Sequence, residues 1–141
     1  MTSRTAPLAL ALTLVAGAAL AGCAPSQSKS DACDIFSSAD LALVDAITSS
    51  SGSLIDDPAT ARDDLDDAVS TFAKDVSSIS HPEVKTSVDA MTDALKDFNS
   101  QFGDAAEAAA ENPESVDNQA LSESLNAAEK AEAGVVTACN S

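Results

Sequence analysis

The chain has 141 residues, with 23 Asp and Glu against 7 Lys and Arg, a formal net charge of −16. That balance excludes a nucleic-acid binder, because neutralising phosphates requires basic patches, and it disfavours adhesion to anionic surfaces. With four Phe and no Trp or Tyr, the usual stacking platform for sugars is also missing.

The N-terminus has three parts. Met1 to Thr5 carries Arg4 and no acid, and Ala6 to Leu20 is an apolar stretch of 15 residues. Small residues follow at Ala21 and Gly22. This is the layout of an export signal, shorter than the roughly 20 residues of a membrane span. Leu20-Ala21-Gly22-Cys23 resembles the lipobox of bacterial lipoproteins. The resemblance covers residues 1–23 and implies removal of residues 1–22 and attachment of a diacylglycerol to the Cys23 sulfur. It also implies acylation of the new amino-terminus in some members. Ala16-Gly17-Ala18 offers a rival, ordinary secretory cleavage of small-x-small form. Lipid anchoring is physically efficient: each buried methylene contributes about 0.8 kcal/mol, and two chains hold where one lets go. Ala24 after the cysteine supplies no aspartate-type retention signal.

Cleavage before Cys23 leaves 119 residues with 6 basic and 23 acidic groups, a net charge of −17. It also resolves an odd cysteine count. Of three cysteines, Cys33 and Cys139 remain, and an oxidising compartment lets them pair. No C-x-x-C spacing or Cys/His cluster points to a metal instead.

Leu, Ile, Val and Phe together supply 23 of the 119 residues. That sparse content at high net charge is close to the composition of disordered chains. The apolar residues nevertheless recur at helical spacing, with alanine filling the gaps, so a thin core is expected.

Residues 23–30, from Cys23 through "APSQSKS", read as a flexible tether, and residues 31–141 as the folded domain. A first helix is expected over 31–50, with an apolar stripe of Ala32, Ile35, Phe36, Ala39, Leu43, Ala46 and Ile47. "SSSGS" breaks it. Asp57-Pro58 opens a second helix, with Asp57 as N-cap and Ala61, Leu65, Ala68, Val69, Phe72, Val76 and Ile79 facing inward. Ser80 and Glu83 stand in capping-box spacing before a third helix. Its stripe of Val84, Val88, Met91, Leu95, Phe98 and Phe102 alternates steps of four and three. Gly103 kinks or ends this helix, or "DAAEAAAE" extends it to Glu111; Asn112-Pro113 is the firmer stop. A fourth helix is expected over 118–138, capped by Asp117 or Asn118, with Leu121, Leu125, Ala128, Ala131, Val135 and Cys139 inward.

Four helices with short connections form most economically an all-α, antiparallel up-down-up-down four-helix bundle. That topology brings the start of the first helix beside the end of the last, where Cys33 and Cys139 lie. A disulfide closing a loop of about 100 residues stabilises by up to about 4.7 kcal/mol in the chain-entropy model.

Little in the sequence suggests catalysis. His81 is the single histidine, and only Glu83 lies near it, so a turn residue in contact with solvent is expected. No H-E-x-x-H, G-x-S-x-G or phosphate-binding loop occurs, and no cofactor is implied. The densest charge is "RDDLDDA". Asp63, Asp64, Asp66 and Asp67 are the chain's candidate cation ligands. A helix wraps a cation poorly, and the EF-hand spacing is absent, so a solvated face is the expectation. The four Phe and Met91 are expected in the core.

The sequence thus resembles small Ala/Ser/Asp-rich lipoproteins of high-GC Gram-positive bacteria, most without assigned function. The resemblance implies attachment to the outer face of the cell membrane. A non-enzymatic interaction or accessory module at the envelope is the expected role, with another envelope protein as partner. A small-ligand or cation-binding helical module is the alternative. An enzyme or a partly disordered spacer ranks behind both.

Overall fold

The computed structural model describes residues 26–50 and 57–141. The signal segment, the lipobox and Cys23 lie outside the described residues, as do residues 51–56. Among the described residues the chain is all-helical: α1 (Lys29–Ser50), α2 (Pro58–Asp75), α3 (Pro82–Glu111) and α4 (Asn118–Asn140). Short 3₁₀ turns, Val76–Ser78 and Pro113–Ser115, follow α2 and α3. None of the described helices is long and apolar enough to cross a membrane.

Local chemistry sets the helix ends. α1 starts at Lys29, two residues before the expected position. The cause is Ser28, whose hydroxyl accepts from the Asp31 N–H at 3.1 Å and whose carbonyl accepts from the Ala32 N–H. Asp57 caps α2 as its sequence position suggests, accepting from the Thr60 N–H at 3.1 Å, with Pro58 in the first turn. Its carboxyl is held below the usual range by hydrogen bonds from the Thr60 backbone and side chain. Asp57→Ala is expected to lower the urea midpoint, as loss of a helix cap does. A urea titration of wild type and variant checks it.

The third helix departs from its expected cap. His81, not Ser80, stands at the N-cap, and its side chain makes no capping bond. Gln27 serves this helix start from outside. Its Oε1 accepts from the Ser80 N–H at 2.6 Å and the His81 N–H at 3.2 Å. Glu83 therefore does not turn back to complete a capping box; it pairs with Lys29 at 2.9 Å. The last residues of the expected tether thus belong to the folded domain.

α3 runs for 30 residues without a break at Gly103. The alanines that follow are the best helix formers and outweigh one glycine. The helix ends at Asn112, whose backbone is extended (φ −156°, ψ 105°) as a residue before proline prefers. Asp117 caps α4 by accepting from the Gln119 and Ala120 N–H groups at 3.1 and 2.9 Å. α4 then continues to Asn140, two residues past the expected end.

The core draws on every helix and, among the described residues, holds no buried polar side chain. All seven residues of the second expected stripe are buried, as are Val84, Val88, Met91 and Leu95 on α3. Phe36 and Phe72 meet edge to face, with ring centroids 6.4 Å apart, a favoured geometry for aromatic pairs. Alanines 32, 39, 61, 68, 128 and 138 fill the remaining buried positions, and side chains that small let helices approach closely. Phe98 and Phe102 are only partly buried and lean on each other at 6.3 Å. Two residues expected inside are on the surface: Ile47 is 40% exposed and Leu125 44%. α1 packs chiefly against α2 and meets α4 only lightly.

Candidate functional site

Three chain segments converge at one end of the molecule. Lys29 at the start of α1 forms an ion pair with Glu83 in the first turn of α3. Ser141, after α4, donates to Glu83 Oε1 at 3.2 Å and accepts from Lys29 Nζ at 2.9 Å. Lys29 and Ser141 together hold the Glu83 carboxyl below its usual range. Cys33 and Cys139 form a disulfide near this end, with Cα atoms 5.9 Å apart across 106 residues of sequence. The hydroxyl and ammonium around Glu83 leave it committed to structure. His81, half-buried beside it, has a buried Nδ1 without a hydrogen-bond partner. No acid–base couple forms between the two.

The four aspartates of α2 do not act as one cluster. Residues three apart share a helix face, and the structure divides these into two such pairs. Asp63 and Asp66 line a polar cleft of about 260 Å³ between α2 and α3. There Arg62 reaches Glu107 at 3.2 Å, and Asn99 Nδ2 donates to Asp66 at 2.7 Å. The Arg62 guanidinium supplies this cleft with a positive charge of its own. Asn99 Oδ1 is buried there without a partner.

Asp64 and Asp67 face the other way, onto a groove of about 410 Å³ between α1 and α2. Asp75, two turns further along α2, joins them. The floor is apolar: Ala39, Leu43 and Ala46 from α1 oppose Ala68 and Phe72 from α2. No Lys or Arg is among the described residues that line it. The second helix's stripe and its acids were legible in sequence. That α1 would set alanines opposite Asp64, Asp67 and Asp75 was not, because register between helices is a tertiary property.

A second acidic contact went unseen in the sequence. Asp40 on α1 is half-buried, and burial pushes its carboxyl above the usual range. Glu132 on α4 is raised by burial and then by the nearby charges of Asp40 and Glu129. A raised carboxylate binds protons better folded than unfolded, so its ionisation destabilises the fold at neutral pH. That penalty fades as pH falls through the raised value. Asp40→Asn is therefore expected to raise the melting temperature at pH 7, with the gain vanishing near pH 3, where both side chains are neutral. Thermal unfolding followed by circular dichroism at the two pH values checks this. Asp57 and Glu83 act in the opposite sense, since stability they contribute at neutral pH is lost on acidification.

Among the described residues no three His, Cys, Asp or Glu side chains converge so as to hold a metal ion. No family model, curated protein or solved structure matches the chain.

Proposed function

We propose that this protein is an extracytoplasmic lipoprotein acting as a non-enzymatic interaction or accessory module at the cell envelope. Residues 1–22 are its signal peptide, and Cys23 carries the diacylglyceryl anchor that holds it to the outer face of the membrane. The observation that carries the interaction role is the α1–α2 groove, an apolar floor edged by Asp64, Asp67 and Asp75 with no base among the described lining residues. The net charge of −17 from Cys23 onward makes cationic partners the favoured ones and nucleic acid an improbable one.

In this reading the domain is an up-down-up-down antiparallel bundle. Support comes from the disulfide and from the meeting of Lys29, Glu83 and Ser141. These join the starts of α1 and α3 to the end of α4. Gln27, before α1, likewise reaches the turn between α2 and α3.

Mass spectrometry of the membrane-extracted protein tests the anchor. The expected N-terminal peptide begins at Cys23 and carries a thioether-linked diacylglyceryl group, and Cys23→Ser releases the protein from the membrane. An unmodified N-terminus after Ala18 would contradict it.

A second reading, a cation-binding helical module, is favoured by one observation: the buried, unbonded Asn99 Oδ1 in a cleft that also holds Asp63 and Asp66. It requires the melting temperature to rise with calcium by mass action. A melting temperature indifferent to calcium removes it.

A further inference from the structure

The α2 acids alone would be an ordinary solvated helix face. What distinguishes Asp64, Asp67 and Asp75 is that they edge an apolar trough rather than open water. We infer that this groove receives a basic amphipathic helix of a partner protein. The inference rests on the interaction-module reading and gives its partner a chemistry.

The shape argues for a helix. The lining runs from Ala39 to Ser49 on α1 and from Asp64 to Asp75 on α2. Eleven residues of helix extend about 16 Å, or three turns. A trough of that length matches a short amphipathic helix better than a compact ligand, and helix-in-groove docking is a recurrent recognition mode. The α1 wall is built of small side chains, Ala39, Ala42 and Ala46, which allow the close end of helix spacing, about 8 Å.

Charge selects the partner. Among the described residues carboxylates stand along the α2 edge only, so the incoming helix needs Lys or Arg on one flank and apolar residues on the face that meets Ala42 and Ala46. A second copy would bring its own net charge of −17 from Cys23 onward, and repulsion opposes such pairing. Long-range attraction would speed encounter with a basic helix, and salt would weaken it.

The test uses a synthetic 14-residue Leu/Lys peptide of amphipathic helical pattern, fluorescently labelled, with a Leu/Glu peptide as its negative control. The protein is the whole chain from residue 23 with Cys23→Ser, which contains every residue the structure describes. Fluorescence anisotropy is expected to show saturable binding of the Leu/Lys peptide alone. The double variant Asp64→Lys/Asp67→Lys should weaken binding about tenfold or more, and Ala42→Phe, which fills the trough without adding charge, should do likewise. Asp97→Lys/Glu114→Lys makes the same change in net charge at two exposed residues that do not line the groove. It should weaken binding less than about threefold. Circular dichroism verifies that each variant is folded.

Absence of binding overturns the inference. So does equal loss from the two charge-reversed pairs, or indifference to Ala42→Phe, since either would mean bulk charge attraction only. The broader reading fails separately. If the peptide does not bind while cross-linking in cells still captures one defined envelope protein through another face, the groove is wrong and the module reading stands.

Discussion

Replacing Cys33 and Cys139 together by alanine is expected to lower the melting temperature by roughly 8–20 °C. This corresponds to about 2–5 kcal/mol, with a domain of this size losing about 4 °C per kcal/mol. The bond spans 106 residues, almost the whole described domain, so it removes much of the freedom of the unfolded chain. The domain has little else to offset that loss. Its buried side chains include six alanines, and the larger ones number only twelve among the described residues. Self-repulsion at a net charge of −17 from Cys23 onward also opposes compaction. The three ion pairs among the described residues lie at the surface, with only Lys29 partly buried, and such pairs contribute little. Thermal unfolding of the double variant, beside wild type with and without reductant, measures the effect. Reductant should reproduce the double variant and leave that variant unchanged. A shift below about 2 °C would place the stability in packing instead.

Phe72→Ala is expected to cost about 3–5 kcal/mol, the range for deleting a buried aromatic ring and leaving a cavity. Phe72 is 1% exposed and meets Phe36 edge to face. It also lies beneath the α1–α2 groove, so its loss should loosen the packing under that groove. Phe102→Ala offers the contrast. That ring is only partly buried against the core, solvent can fill the space, and the cost should be less than half as great. Urea unfolding monitored by circular dichroism separates the two. An unchanged m-value would show that the variants differ in stability rather than in the compactness of either state. Equal costs at the two positions would mean that the core is not organised around the Phe36–Phe72 pair.

Much of the fold was legible because helical periodicity and capping are local signals. The Ala61-to-Ile79 stripe is buried throughout, and Asp57 and Asp117 both cap their helices through side-chain oxygens. The Cys33–Cys139 pairing followed from cysteine parity and bundle geometry. What local signals missed depends on contacts between distant segments. Ser80 and Glu83 have capping-box spacing, yet Gln27, more than fifty residues earlier, takes over the N–H groups at that helix start. Ile47 and Leu125 fit their stripes but are exposed, since periodicity gives a direction without saying whether a neighbour lies there.

The candidate site was half legible. "RDDLDDA" identified the charge, but not its division into Asp63 with Asp66 beside Arg62, and Asp64 with Asp67 over alanines. By spacing alone Asp63 and Asp67, four apart, share a face, yet they line different clefts. Only the packing of α1 on one side of α2 and α3 on the other makes one pair part of a compensated cleft and the other the edge of an open groove. The raised carboxyls of Asp40 and Glu132 likewise depend on two helices far apart in sequence.

Under the proposed function, the domain works by contact with another protein of the envelope. Cross-linking the protein in intact cells, followed by mass spectrometry of what it captures, tests that proposal most directly. One defined envelope protein should be recovered from wild type and lost from Asp64→Lys/Asp67→Lys, with the cross-linked peptide of the partner basic and amphipathic. Recovery of nothing beyond abundant neighbours, the same for wild type and variant, would contradict it.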